Sequence, residues 1–200
     1  MFLETIKVAN GEFLNLDFHQ WRINWTLKEL NINNNINLVN YMSQDFNLDK
    51  NKIYRCRILY QKDILEVQFI EYFEKNIKNI VLLNCENLNY KYKFSDRSQI
   101  ELLKQNIYNS TINEVLFYKN EFITDFSIGN IAIKNKNIWI TPKEPILRGT
   151  TRERFLRKNE LVETDIFKSD FINLVKNGSE IAILNSLVGF KILPDLKIIF

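Results

Sequence analysis

Three short stretches carry residue types that could do chemistry together. Thr124-Asp125-Phe126-Ser127-Ile128-Gly129-Asn130 places a carboxylate among strand-like runs, and Leu147-Arg148-Gly149-Thr150-Thr151-Arg152 sets a glycine turn and two hydroxyls at a helix start. A helix start presents unpaired backbone N–H groups and the positive end of its dipole, so Gly149, Thr150 and Thr151 suit an anion. A third polar turn is Asn185-Ser186-Leu187. Upstream, Lys91 and Lys93 share one strand face, and Arg97 follows Lys93 four positions on, where a helix opens. A lysine amine can attack a carbonyl and later carry a proton. Most lysines are nonetheless solvated surface residues, and a lone aspartate in a hairpin is as readily an exposed turn residue as a working acid.

The elements that must position these groups follow from periodicity. Residues 2–9 alternate and end at Asn10-Gly11, a two-residue hairpin signal, with a return strand over 13–16. Asp17 is placed to cap a helix carrying Phe18, Trp21, Ile23, Trp25, Leu27 and Leu30 together with His19 and Arg22, and a second weak helix falls around 36–46. His19, the only histidine, reads as a structural or hydrogen-bonding residue. Two alternating runs, 52–61 and 64–73, form a second hairpin, with Arg55 and Arg57 on one strand face. A further apolar run covers 77–83. The polar stretch 84–92 is the expected domain junction, giving a small α+β domain over 1–86 and a larger one over 87–200.

In the second part a helix is expected over 98–107. Short strands at 113–118, 122–126, 130–133 and 138–141 follow, the spacing of an antiparallel sheet. A loop with Pro142, Pro145 and Gly149 leads to a helix over 150–158 with Thr150 as its cap. Then come a strand over 161–166, a capped helix over 169–176, a strand over 180–184 and two final strands around Pro194-Asp195.

Composition bounds the function. The chain has 200 residues, 46% of them hydrophobic, enough to fold without a partner, and 27 Lys+Arg against 24 Asp+Glu leave only +3 with no basic stripe. Neither nucleic-acid binding nor a membrane anchor is expected. Cys56 and Cys85 lie in separate strands without a CxxC or a histidine partner, so reduced core thiols and no metal site are expected. Met1-Phe2-Leu3-Glu4 lacks a basic leader and cleavage site, which points to a cytoplasmic protein.

The order of these clusters, with Glu4-Thr5-Ile6, Gly11, Leu16 and His19-Gln20-Trp21-Arg22 ahead of them, resembles the class IV, fold type IV, pyridoxal-phosphate enzymes. These are the branched-chain aminotransferases, D-amino-acid aminotransferases and 4-amino-4-deoxychorismate lyases. The resemblance covers nearly the whole chain. It implies an α+β, two-lobed fold with an N-terminal α/β lobe, a C-terminal antiparallel-sheet or barrel-like lobe, and the cofactor between them. It also implies a homodimer and a small-molecule amino substrate.

Carried over residue by residue, the resemblance makes Lys93 the lysine that holds the aldehyde of pyridoxal 5'-phosphate and shuttles the proton, with Arg97 at the spacing of the lyase-like branch. Lys91, on the same face, lacks that arginine. Asp125 stands where the family has a glutamate beside the pyridine nitrogen. Gly149, Thr150, Thr151, Ser186, Leu187 and Arg22 would hold the phosphate. Arg97 and Tyr92 are the substrate-side candidates, each also explicable as a structural residue. The implied activity is a lyase of the folate-pathway kind, making 4-aminobenzoate and pyruvate from aminodeoxychorismate. The alternative within the same chemistry is an aminotransferase acting on branched-chain or D-amino acids. A degenerate, non-catalytic member is the alternative outside it, since Asp replaces Glu and the N-terminal strand that relatives usually carry is missing.

Overall fold

The computed structural model describes residues 1–105, 107 and 111–199. They form two compact units, residues 1–74 with 92–96, and residues 75–91 with 97–200.

The first unit is built on an antiparallel sheet of order β2-β1-β3-β4, with β1 (Phe2–Ala9), β2 (Glu12–Phe13), β3 (Tyr54–Tyr60) and β4 (Ile64–Glu71). Asn10 and Gly11 join β1 to β2 at φ 54° and 81°, the left-handed pair that a two-residue hairpin with the right twist requires. Helix α1 (Leu16–Glu29) and the short α2 (Leu38–Met42) complete the unit. The period of two along β1 puts Phe2, Glu4, Ile6 and Val8 on the buried face, where the three apolar ones join Ile23, Leu27, Leu38, Ile58 and Tyr60 in one core. Asp17 does not cap α1. Asn15 occupies that position in the left-handed conformation, with no side-chain cap hydrogen bond, and Asp17 lies in the first turn, where its charge faces the dipole.

The second unit holds a nine-stranded sheet. Its main path is β10-β9-β8-β7-β6-β5-β13, with β11 pairing both β8 and β12. The strands are β5 (Asn79–Asn84), β6 (Glu114–Lys119), β7 (Phe122–Phe126), β8 (Gly129–Asn135), β9 (Ile138–Pro142), β10 (Val162–Thr164), β11 (Ile181–Asn185), β12 (Gly189–Ile192) and β13 (Lys197–Ile199). Runs β6 to β9 are antiparallel, as their short turns require, but β5–β6, β9–β10 and β5–β13 are parallel. Parallel neighbours need a long crossover. Between β5 and β6 it contains α3 (Ser98–Gln105), and between β9 and β10 it contains α4 (Thr150–Arg157). The helix expected over 98–107 is observed as α3; position 106 lies outside the described residues. Helix α5 (Lys168–Lys176) starts after Phe167 with no side-chain cap, one residue earlier than expected. A core of Ile80, Leu116, Ile123, Ile131, Ile133, Phe171 and Ile183 fills the unit. Cys56 and Cys85 are free and buried, and burial pushes their thiols up to about 12 and about 11.

A single junction at 86/87 is not where the chain changes units. Strand β5 pairs with β6 and β13, so it lies in the second unit, and the chain then returns to the first for residues 92–96. There Leu3 N–H donates to Lys93 O at 2.9 Å, Ser95 N–H to Met1 O at 3.1 Å, and Phe94 bridges to Phe2.

Candidate functional site

The first unit gathers Lys93, Arg22, His19 and Glu4. Glu4 faces inward from β1 because it keeps the parity of Phe2 and Ile6, and α1 turns His19 and Arg22, three residues apart, toward it. All three are buried. Arg22 Nε donates to Glu4 Oε1 at 2.8 Å and Nη2 to Oε2 at 2.5 Å, while His19 Nδ1 meets Oε2 at 2.6 Å. Burial alone would raise the Glu4 pKa, but the Arg22 charge and the hydrogen bonds from His19 and Arg22 outweigh it and hold the carboxyl at about 2. Burial pushes His19 below its ordinary value; the Glu4 bond and charge oppose this, and the positive charges of Arg22 and Lys93 add to it. Lys93 therefore stands near enough to act on His19 electrostatically. Its half-buried position on the returning segment is fixed by the Leu3 hydrogen bond to its carbonyl. Tyr92 packs its ring in an aromatic group with Trp25 at 5.5 Å, Phe94 at 6.0 Å and Phe2 at 6.4 Å.

The second unit gathers Asp125, Gly149, Thr150, Thr151, Ser186 and Leu187. Asp125, near the end of β7, is buried rather than an exposed turn residue. Its Oδ1 accepts from Asn130 Nδ2 at 2.7 Å and its Oδ2 from Leu147 N–H at 2.9 Å. Burial raises its pKa to about 6 against the lowering effect of the Leu147 and Asn130 hydrogen bonds and the Arg152 charge. Asn130 Nδ2 also donates to Leu147 O at 2.8 Å, tying the β7–β8 hairpin to the loop before α4. Gly149 is required there: a Cβ would lie 2.0 Å from Asn130 Oδ1.

Gly149, not Thr150, is the N-cap of α4, and it supplies no side-chain cap. The first-turn amides of α4 therefore have no side chain of the cap to bond. The Thr150 and Thr151 hydroxyls, on residues 5% exposed, have no hydrogen-bond partner among the described residues. Uncapped amides with two adjacent hydroxyls fit a phosphate group. The turn between β11 and β12 is more self-contained: Leu187 N–H and Val188 N–H both donate to Asn185 Oδ1, at 2.9 and 3.0 Å. Ser186 sits half-buried beside them. Arg97, at the start of α3, donates from Nη2 to Ser127 O at 2.9 Å and lies 3.6 Å from Glu101.

Sequence reasoning passed over Glu4 and Glu114 as site residues. Glu4 was visible only as part of Glu4-Thr5-Ile6; its parity with the core positions of β1 is the signal that it faces inward. Glu114 is buried at the start of β6, accepting from Val115 N–H at 2.9 Å and from Ser127 Oγ, and pairing with Lys75 Nζ at 3.1 Å. Nothing in its sequence context distinguishes it from a surface glutamate. Arg152 likewise is buried, donating from Nη2 to Pro142 O at 2.8 Å and Glu163 Oε1 at 2.6 Å.

A buried carboxylate that can pair with a ring N–H and an uncapped helix start are the groups that pyridoxal phosphate needs from one side. The second unit supplies both. No helix among the described residues is long and apolar enough to cross a membrane.

Comparison with known proteins places the chain in a family. The family model described as amino-transferase class IV matches residues 1–192. An uncharacterized protein of Haemophilus influenzae (strain ATCC 51907 / DSM 11121 / KW20 / Rd) is 32% identical over 188 residues, 93% of this chain and 97% of that one. Among solved structures, a Haemophilus somnus 129pt protein provisionally described as a 4-amino-4-deoxychorismate lyase superposes with a TM-score of 0.81 at 28% identity, covering 94% of this chain and 96% of that one. A hypothetical aminotransferase from Mycobacterium tuberculosis in its PLP-bound form gives a TM-score of 0.71 at 14% identity, covering 98% of this chain and 81% of that one, and shows the shared fold.

Proposed function

The chain belongs to the class IV aminotransferase family, and from that membership we propose that it is a pyridoxal-phosphate lyase converting 4-amino-4-deoxychorismate to 4-aminobenzoate and pyruvate. Family members bind pyridoxal phosphate, which when bound supplies an electron sink that eases removal of the proton from the substrate's Cα. Lys93 is the residue that would hold the cofactor through its amine and would carry the substrate's Cα proton. Asp125, with its pKa near 6, is an anion at neutral pH and keeps a proton on the pyridine nitrogen. In the structure the carboxylate accepts from Asn130 Nδ2 and Leu147 N–H, with the Ile146 backbone N–H also lowering its pKa, and a ring N–H would be one more donor to it.

The α4 amides and the Thr150 and Thr151 hydroxyls would hold the phosphate, with Gly149 allowing the close turn and Ser186 and Leu187 as the further candidates. Arg22, which the family resemblance also assigns to the phosphate, is held by Glu4. Arg97, which donates to Ser127 O, and Tyr92, packed among Trp25, Phe94 and Phe2, remain the substrate-side residues of this reading. A homodimer is the assembly that this reading carries over from the family resemblance.

The observation that carries the lyase reading is the likeness to the Haemophilus somnus protein over nearly the full length of both chains. The test is direct. Purified protein reconstituted with pyridoxal phosphate should show a visible absorbance band that borohydride removes, and Lys93→Ala should lack covalent attachment. Incubation with aminodeoxychorismate should release pyruvate, and incubation with amino acids and 2-oxoglutarate should give no new amino acid. The reverse outcome would make it an aminotransferase.

A further inference from the structure

The second unit contains a cavity of about 590 Å³ that shares no residue with the set assigned to the cofactor. Its size lies within the range of small-molecule sites. Four separate segments surround it: residues 88–91, the β6–β7 turn, the loop after β9 and the end of β10. Its inner wall is apolar, with Leu88, Ile123 and Ile166 all buried, and Pro142, Pro145 and the Phe122 ring offer flat faces. Phe122 is itself held in place by Phe167, with ring centroids 4.4 Å apart.

Charge is gathered at the mouth. Lys91, Lys119 and Lys143 are exposed there, with Glu144 and Asp165 also on the rim. Lys119, Lys143, Glu144 and Asp165 make no ion pair or side-chain hydrogen bond among the described residues. Three ammonium groups against two carboxylates leave one net positive charge over an apolar floor. A monoanion with a flat apolar body matches that arrangement, whereas a phosphate dianion would be opposed by the two carboxylates and would leave the floor uncovered.

We propose that this cavity is a binding site for a small aromatic carboxylate, with its ring on the Leu88, Ile123, Ile166 and proline surface and its carboxylate among Lys91, Lys119 and Lys143. The site stands whether or not the second unit carries a cofactor. Its occupancy would nonetheless be felt at Asp125, because Ile146 in the cavity wall directly precedes Leu147, whose N–H holds Asp125 Oδ2.

Benzoate is the probe, with benzamide as its uncharged analogue, each titrated calorimetrically into the full-length protein with pyridoxal phosphate present. Benzoate should saturate one site per chain, and benzamide should bind about tenfold or more weakly. Lys119→Glu/Lys143→Glu should abolish benzoate binding without changing the melting temperature or cofactor uptake, while Lys158→Glu/Lys176→Glu, at the ends of α4 and α5 and not lining the cavity, should leave it intact. Absence of saturable benzoate binding to the parent protein, equal affinity for benzamide, or unaltered affinity in the Lys119→Glu/Lys143→Glu variant would overturn the proposal.

Discussion

Both carboxylate oxygens of Glu4 accept from Arg22, although the two residues stand on different elements eighteen positions apart. The pair ties the edge of α1 to the middle of β1 inside the core, with His19 closing the same carboxylate from one turn earlier. An apolar core would otherwise pack this interface without direction. The ion pair fixes which helix face meets the strand, and so where the Arg22 charge lies.

Breaking one side of this pair leaves the other charge buried. Glu4→Gln should therefore destabilise the protein by about 3–5 kcal/mol, read as a lower urea midpoint at pH 7. Glu4→Leu/Arg22→Met, which removes both charges, should recover much of that loss while pyridoxal-phosphate uptake stays impaired. Equal destabilisation by the double variant would mean that the pair's geometry, not the stranded charge, sets the cost.

The same carboxyl gives an acid limb to stability. Its pKa is about 2 folded against an ordinary 4.5, so its contribution is complete above about 4.5 and is lost as pH falls toward about 2. Chemical denaturation at intervals between pH 5 and pH 2.5 should show a falling stability that is shallower in Glu4→Gln.

Asp125 has the opposite sign. Its folded pKa, about 6, lies above the ordinary 3.8, so folding favours the protonated form and its contribution declines as pH rises from about 4 to about 6. Asp125→Asn should remove that decline. It should also weaken pyridoxal-phosphate binding at pH 8, where the parent residue is an anion. A parent titration in which the Asp125 carboxyl carbon shows an NMR midpoint near 4 would contradict the buried environment.

Gly149→Ala would force a Cβ to within 2.0 Å of Asn130 Oδ1. Asn130 would have to move, and with it the bonds to Asp125 and Leu147. A loss of about 1–3 kcal/mol in thermal or urea stability is expected, together with weaker cofactor retention.

Much of this was legible in the sequence for definite reasons. Asn10-Gly11 announced the β1–β2 hairpin because few residues tolerate two successive left-handed positions. Strands β1, β3 and β4 and helix α4 followed from period and punctuation, but the return strand expected over 13–16 is only β2 (Glu12–Phe13), because Asn15 turns left-handed and Leu16 already opens α1. The buried state of Asp125 did not, since burial at a hairpin depends on the loop before α4, whose Leu147 N–H comes from a different part of the chain. The parallel pairing of β5 with β6 was hidden because it depends on a crossover that local spacing does not encode. The polar run at 84–92 signalled a change of unit, but only long-range pairing with β1 reveals that the chain goes back.

That return decides when the first unit can finish folding during synthesis. The edge of β1 at Leu3 is closed by Lys93, and its beginning by Ser95, so the ribosome must deliver the whole excursion through β5 before those bonds can form. The nascent N-terminal strand therefore waits, partly uncovered, for a segment about ninety residues younger. Expressing residues 1–74 by themselves should accordingly yield an aggregation-prone fragment, and adding a peptide spanning 90–97 should restore its solubility.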